Sequence, residues 1–336
     1  MPTLTLHPGA TVLVTGINGL LGSHVADQLL ARGYKVRGAV RGVGKNAWVR
    51  DYFVARHPGA GIELVDVPDI TAPGCYDEAV KGVQGIVHLA SPLGGEDADA
   101  LIRTAVEGGL NALRAAAKEK GIKRFVYTSS SVAAVTPKPD TEVTVRVTDF
   151  NEEGIRAGRS KDRKPGLALY SAMKTEAEKA CWEWVRENEP GFAFSSVLPN
   201  VNFGEVLVPE EQGAPSTVEW AKMAFTGQGF DMLAQVIMPQ WFINNADCAL
   251  LHVGALIYED VSGERLFGFA EPFNWNDVLA GFRKLYPEKS FPKDRELGID
   301  VSNVPNKRAL EVLEWIKEGK GWTGLKESLA EMSENW

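Results

Sequence analysis

The sequence predicts an α/β protein: a Rossmann-type, doubly wound parallel sheet with a smaller, mixed C-terminal region. Three observations predict it. Short apolar runs alternate with helical patterns through the first part of the chain, the signature of βαβ units. A glycine-rich turn separates the first apolar run from the first helical pattern. The 336-residue chain is 44% hydrophobic and 24% charged, ordinary values for a globular protein with a large core.

The elements follow in order. Residues 11–14 form a short β-branched run, and residues 20–32 have helical spacing closed by Gly33. Residues 35–40 read as a strand, residues 46–56 as a helix stopped by Pro58 and Gly59, and residues 62–65 as a strand. Residues 75–81 read as a helical segment before Gly82, residues 85–90 as a strand, 98–120 as a long helix and 124–128 as a strand. Residues 131–166 are rich in Pro, Thr and charge and are expected to form a long loop of the kind that is functional or disordered. Helical pattern returns over 167–188, closed by Pro190 and Gly191, and a strand follows over 192–198. This divides the chain into a regular unit, residues 1–200, and a mixed one, residues 201–336, with some segments returning to the first. Eight of the nine tryptophans lie after residue 180, where packing is their expected role.

Composition narrows the function classes. A net charge of −8 argues against a nucleic-acid groove or a polybasic membrane anchor. The three cysteines (Cys75, Cys181, Cys248) form no C-x-x-C pair, and the five histidines show no metal spacing, so neither a disulfide framework nor a metal site is expected. No run approaches about 18 apolar residues, and the N-terminus lacks a signal pattern. A soluble, cytoplasmic enzyme is the expectation.

The turn Thr15-Gly16-Ile17-Asn18-Gly19-Leu20-Leu21-Gly22 has the spacing G-x-x-G-x-x-G between a strand and a helix. Glycines there let backbone N–H groups approach a pyrophosphate, and the helix N-terminus adds partial positive charge. Thr15, Gly16, Asn18, Gly19, Leu20 and Gly22 are therefore candidate cofactor contacts. NAD sites usually carry an acid at the end of the second strand, for the ribose 2′-hydroxyl. No acidic residue occurs between Asp27 and Asp51, and Arg37 and Arg41 stand in that region instead. A guanidinium can clamp a 2′-phosphate, so NADP(H) is favoured over two merely solvated arginines.

Tyr170 and Lys174 are four apart on a helical pattern and share a face. The cluster Tyr127-Thr128-Ser129-Ser130-Ser131 follows a strand some way upstream. Reducing a carbonyl requires a hydride at carbon and a proton at oxygen. A phenol of pKa about 10 is a poor catalyst at neutrality, and a nearby ammonium lowers it. A serine hydroxyl adds a hydrogen bond at the oxygen where charge grows.

With these residues the chain resembles the extended short-chain dehydrogenases/reductases. The motifs are Val14-Thr15-Gly16-Ile17-Asn18-Gly19-Leu20-Leu21-Gly22, Asp69-Ile70-Thr71, His88-Leu89-Ala90-Ser91-Pro92, Thr128-Ser129-Ser130 and Tyr170-Ser171-Ala172-Met173-Lys174. Val197-Leu198-Pro199-Asn200 and residues 282–287 are similar to the dihydroflavonol-reductase-like branch, especially its yeast and fungal NADPH-dependent aldehyde and carbonyl reductases. The resemblance implies Ser130 as catalytic serine, Tyr170 as general acid, and Lys174 as the residue that lowers the tyrosine pKa and bonds the nicotinamide ribose. It implies that Asp69 and Ile70 meet the adenine, that Leu89, Ala90, Ser91, Thr128 and Ser129 line the cofactor, and that Pro199, Asn200 and Val201 flank the nicotinamide. Substrate is expected under the C-terminal part, with Val132, Phe203 and Gln240 as candidate pocket residues.

Three departures from the family pattern matter. Met173 stands where many relatives have Ser, at a packing position. Ala105 stands where many extended members have Asn. The residues after the serine cluster, Val132-Ala133-Ala134, contain no acid, whereas sugar-nucleotide dehydratases need a carboxylate pair there. Asp247 is expected to cap a helix. The expected activity is NADPH-dependent reduction of aldehydes or ketones by a monomer or homodimer. The alternatives are an epimerase or hydroxysteroid-type dehydrogenase, or a non-catalytic NADP(H)-sensing regulator.

Overall fold

The computed structural model describes residues 2–92, 97–163 and 167–336. The first half runs β1 (Thr11–Thr15), α1 (Leu20–Ala31), β2 (Lys35–Val40), α2 (Ala47–Arg56), β3 (Ile62–Asp66), β4 (Gly85–His88), α3 (Ala98–Lys118) and β5 (Arg124–Thr128). Then come α4 (Glu152–Arg159), α5 (Ala168–Asn188), β6 (Ala193–Pro199), β7 (Val201–Phe203), α6 (Pro209–Gln212), α7 (Thr217–Thr226) and α8 (Phe230–Val236). The chain ends with β8 (Gln240–Asn244), α9 (Asn245–Ile257), β9 (Arg265–Gly268), β10 (Glu271–Phe273), α10 (Trp275–Leu285), α11 (Lys307–Ile316) and α12 (Leu325–Ser333).

Seven strands form one parallel sheet in the order β3-β2-β1-β4-β5-β6-β9. β4 and β5 are buried along their whole length, as strands covered on both faces must be. α1 packs with α9 on one side, and α3 packs with α5. α3 comes close because it carries Gly109, where a Cβ would stand 2.7 Å from the Cys181 sulfur. The strand order reverses between β1 and β4. Ligands of such sheets bind in the crevice beyond the carboxyl ends at that point.

A second, mixed sheet, β10-β8-β7, begins directly after β6 ends. Its core is aromatic: Phe203 packs edge-to-face on Phe273 at 5.3 Å, and Phe273 on the buried Trp275 at 5.6 Å. The chain then returns, with β9 pairing to β6 and α9 lying against β4, β5 and β6.

Three sequence expectations are corrected. Residues 75–81 form successive turns, not a helix, because Gly74 and Gly82, both with positive φ, close the segment at either end. The expected loop over 131–166 contains a 3-10 turn at Ser131–Ala133 and the helix α4; its last three residues, 164–166, lie outside the described residues. α4 is short and strongly polar on one face, and Asn151 caps it by accepting from Gly154 N–H. Asp247 is not the cap of α9. Asn244 accepts from the N–H groups of Ala246 and Asp247, while the Asp247 carboxylate accepts from Lys317 Nζ (2.8 Å) and Thr323 N–H (2.6 Å), tying α9 to the C-terminal segment.

One buried ion pair closes the long segment onto the sheet. Glu178, on α5, is fully buried and accepts from Arg265 Nε (2.8 Å) and Nη2 (2.9 Å). Arg265 also donates to the Val147 and Asp149 carbonyls, both at 2.7 Å, and lies 4.3 Å from the Phe150 ring centroid. Removing one partner of a buried pair leaves an uncompensated charge. Arg265→Ala is therefore expected to destabilise the fold by about 3–5 kcal/mol in a chemical-denaturation midpoint experiment; a loss within that of an exposed-arginine control variant would contradict this role.

Candidate active site

The site is assembled at the carboxyl ends of β1, β4, β5 and β6. After β1 the glycine turn bends sharply. Gly16 has φ +65°, and a Cβ on Gly22 would stand 2.1 Å from the Gly16 carbonyl oxygen. Gly19 is the N-cap of α1 and offers its first turn no side-chain hydrogen bond. An uncapped, glycine-lined N-terminus on a 12-residue helix is the arrangement that fits a dinucleotide pyrophosphate.

Thr15 joins this turn to the end of β4. Its hydroxyl accepts from Leu89 N–H and Ala90 N–H, both at 3.0 Å, so its single proton is left for His88 Nδ1 at 3.1 Å. Burial and the Lys174 charge push the His88 pKa down to about 3, so the ring is neutral at working pH. Ser91 is half-buried just beyond. Asp69 is exposed and holds its own turn by accepting from the N–H and hydroxyl of Thr71, which keeps its pKa low. The neighbouring Ile70 carbonyl accepts from Asn111 on α3, a residue sequence reasoning missed.

The two arginines separate. Arg37 lies level with Leu13, well before the strand ends. Its guanidinium donates to Glu63 and to the Ala79 and Lys81 carbonyls, so it braces β2 against the following turns. The expectation that Arg37 meets a 2′-phosphate is corrected accordingly. Arg41 is exposed at the end of β2, beyond the Thr15–Ala39 pairing. Lys45, also missed, is exposed on the same turn, its chain 3.2 Å from where a Cβ of Gly42 would be. Its spacing four residues after Arg41 is the signal that was available.

Ser130 and Tyr170 are brought together: the Ser130 hydroxyl lies close enough to the Tyr170 phenol to favour its ionised form. Ser129, the neighbour an off-by-one reading would choose, faces inward and donates to Glu178 at 2.8 Å. Thr128 also faces inward, its hydroxyl donating to His252 Nε2 at 2.8 Å, while His252 Nδ1–H donates to the Cys248 carbonyl at 2.7 Å. The Thr128 and Ser129 side chains thus support the serine from behind. Nothing in the sequence near them pointed to His252, which arrives from α9.

Lys174 is buried, and its ammonium donates to the Thr128 carbonyl at 3.3 Å. Burial lowers its pKa to about 8, opposed by the Glu178 charge. Tyr170 does not show the expected depression. Burial raises its pKa, and only the nearby Ser130 hydroxyl, which favours the phenolate, works the other way. The Lys174 ammonium lies 6.0 Å from the Tyr170 ring centroid and is turned to Thr128, which accounts for the difference. Met173 and Ala105 are both buried, in one apolar cluster between α3 and α5.

Pro199, Asn200 and Val201 occupy the crossing from the large sheet to the small one, where Asn200 Oδ1 accepts from Val201 N–H. A cavity of about 440 Å³ opens at the start of α5. Thr136, Pro137, Gly154, Ala157, Leu167, Ala168, Ser171, Val236, Met238 and Gln240 line it, with Glu153, Ser160, Asp162 and Arg163 at its polar side. Gln240 is thus where a pocket residue was expected. Phe203 is not: it is fully buried in the aromatic core of the small sheet. Val132 is buried behind the serine turn, with its carbonyl accepting from Asn151, and does not line the cavity. Among the described residues no cluster of His, Cys, Asp and Glu could hold a metal ion, and no helix is long and apolar enough to cross a membrane.

The fold and the site define an extended short-chain dehydrogenase/reductase, and residues 12–224 match the model of the NAD dependent epimerase/dehydratase family, to which the chain belongs. Over 333 residues it is 40% identical to aldehyde reductase 2 of Sporidiobolus salmonicolor, covering 97% of this chain and 96% of that one. It is 36% identical to ketoreductase adrE of Penicillium roqueforti, covering 96% of each. Among solved structures it is similar in fold to yeast methylglyoxal/isovaleraldehyde reductase Gre2 complexed with NADPH, with a TM-score of 0.79 and 24% identity over 96% of this chain and 97% of that one.

The Lys174 shift has a consequence for stability. Its folded pKa lies below the unfolded value of 10.5, so the unfolded chain binds more protons between about pH 8 and 10.5, and stability rises with pH there. The penalty for burying the charge is complete below pH 8. Lys174→Met is expected to raise the melting temperature at pH 7, with the gain shrinking as pH rises through this window. Differential scanning calorimetry at pH 7 and pH 10 checks it; an equal gain at both would refute the assignment.

Proposed function

We propose that the protein reduces aldehydes or ketones to alcohols with NADPH. The observation that carries this reading is the approach of the Ser130 and Tyr170 hydroxyls beside the buried Lys174, at the strand ends next to an uncapped glycine turn. Relatives named aldehyde reductase and ketoreductase over nearly the full chain support it. When bound, NADPH supplies the hydride. Thr15-anchored backbone at Leu89 and Ala90, the glycine turn and Pro199 to Val201 are the residues that would hold it, with Arg41 and Lys45 at its 2′-phosphate.

Ser130 and Tyr170 bind the carbonyl oxygen of the substrate. As negative charge grows there, the Ser130 hydroxyl stabilises it and Tyr170 gives up its proton. A phenol whose pKa is raised by burial is protonated at neutral pH, the state that reduction requires. Lys174, charged below about pH 8, lies on the same helix face with its ammonium on the Thr128 carbonyl; a swing of its flexible chain toward the phenolate left behind would stabilise that charge. An elimination or dehydratase reading would require a carboxylate after the serine, where Val132, Ala133 and Ala134 stand.

Tyr170→Phe is expected to lower kcat for NADPH-dependent aldehyde reduction by about 10²–10⁴-fold while the NADPH Kd stays within twofold. Turnover near that of the parent would remove Tyr170 from the chemistry. The cavity is the proposed entry for the substrate body. Its wall of Pro137, Ala157, Leu167, Val236 and Met238 is apolar, and Met232, Val236 and Met238 are exposed on or just after α8. Gln240→Ala should change the ratio of kcat/KM between small aldehydes and bulky aryl ketones at least severalfold, leaving NADPH affinity intact. An unchanged ratio would place the substrate elsewhere.

A further inference from the structure

The turn that carries Arg41 and Lys45 has no regular secondary structure until its 3-10 residues, Gly44–Asn46, and it contains Gly42 at φ +84° and a second glycine, Gly44. Left alone, such a turn is free to move. Two side chains hold it. Asp66, at the end of β3, accepts from Gly42 N–H at 2.7 Å. Asn46 holds it from inside: its Nδ2 donates to the Arg41 carbonyl (3.1 Å) and the Gly42 carbonyl (2.8 Å), while its Oδ1 accepts from Asn18 Nδ2 at 2.9 Å.

Asn46 is only 6% exposed, although it directly follows the exposed Lys45 on the turn that begins at the exposed Arg41. One amide therefore uses both donors and an acceptor to join the backbone at Arg41 to the glycine turn. No ion pair engages Arg41 or Lys45 among the described residues, so both ammonium and guanidinium are available to an incoming anion. Asp66, the acid at the neighbouring strand end, is committed to Gly42 N–H.

We propose that Asn46 is a positioning residue for cofactor discrimination. It sets the turn bearing Arg41 and Lys45 at a fixed distance from the pyrophosphate-binding glycine turn, so that the two cations meet the 2′-phosphate of the same dinucleotide. The proposal rests on the reading of Arg41 as the 2′-phosphate residue. Asn46 touches no cofactor atom itself. It acts through the backbone of Arg41, and the effect is confined to the dinucleotide that carries the extra phosphate. An NADH molecule uses the glycine turn but not the cations, and its binding is indifferent to where they stand.

The test measures Kd for NADPH and for NADH, by quenching of tryptophan fluorescence, in the parent protein, Asn46→Ala, Arg41→Ala, Arg41→Ala/Lys45→Ala and that last variant with Asn46→Ala added. Asn46→Ala is expected to weaken NADPH about tenfold, the scale of one lost ordering interaction, and to leave NADH within twofold. Adding Asn46→Ala to Arg41→Ala/Lys45→Ala should leave the NADPH/NADH ratio unchanged, since Asn46 acts through the placing of those two cations. Equal weakening of both cofactors, or of neither, while Arg41→Ala selectively weakens NADPH, overturns this proposal alone. An unchanged ratio in Arg41→Ala overturns the reading beneath it and this proposal together. Melting temperatures identify variants that fail to fold, and Asn46→Ser then replaces the alanine variant under the same criteria.

Discussion

A carboxylate out of reach of water, Glu178, is the point on which the site depends. Its two oxygens accept from Ser129, Ser196, Trp182 and Arg265, and so draw together β5, β6, α5 and β9. Such a charge is tolerated only if every lone pair is met with good geometry. That demand fixes where Ser129 lies, and Ser129 fixes the direction of the next residue, Ser130. Four residues before Glu178 on the same helix face stands Lys174, and four before that, Tyr170. Ser130 and the helix that carries Tyr170 and Lys174 are therefore registered against one another through a group buried behind them.

The same constraint explains why the long segment after Ser130 is built as it is. Arg265 reaches past Glu178 to the Val147 and Asp149 carbonyls, so the segment is fastened to the sheet through backbone acceptors. Asn151 fastens it a second time, donating to the Val132 carbonyl and capping α4. With its base held at both points, the segment can wall the cavity with α4 and reach the start of α5.

The parallel sheet was legible because its signals are local. A β-branched run, a glycine turn with strand before and helix after, and an i, i+4 pair each declare themselves within a few residues. What was not legible depends on partners distant in the chain. Arg37 and Arg41 look equivalent in sequence; only the register of β2 against β1 shows that one lies mid-strand and the other beyond its end. Asp247 has the composition of a cap, but Asn244 precedes it by three residues and takes that role, while Lys317 claims the carboxylate. Phe203 reads as a pocket aromatic until the antiparallel partner of β8 brings Phe273 against it. His252 and Gln212 gave no signal at all. Gln212, nearly two hundred residues from the glycine turn, donates to the Asn18 and Gly19 carbonyls and to the Ser23 hydroxyl.

The polar groups behind the site and those in front of it are treated differently. Behind, the three hydroxyls are matched: Thr15 has His88, Thr128 has His252, Ser129 has Glu178. In front, Lys174 is a buried ammonium with three donors whose bond to the Thr128 carbonyl is long, and Tyr170 is a phenol whose hydroxyl meets another hydroxyl. Satisfied groups hold still, whereas incompletely satisfied ones carry the free energy that an incoming ligand can recover. A lysine brought down to about pKa 8 is costly to the fold, yet a ribose hydroxyl or a developing phenolate would repay it there. The rigid rear layer allows the front layer to remain unsatisfied without collapsing onto itself. That division, more than the presence of Ser130, Tyr170 and Lys174 alone, makes the arrangement suited to proton transfer at a carbonyl oxygen.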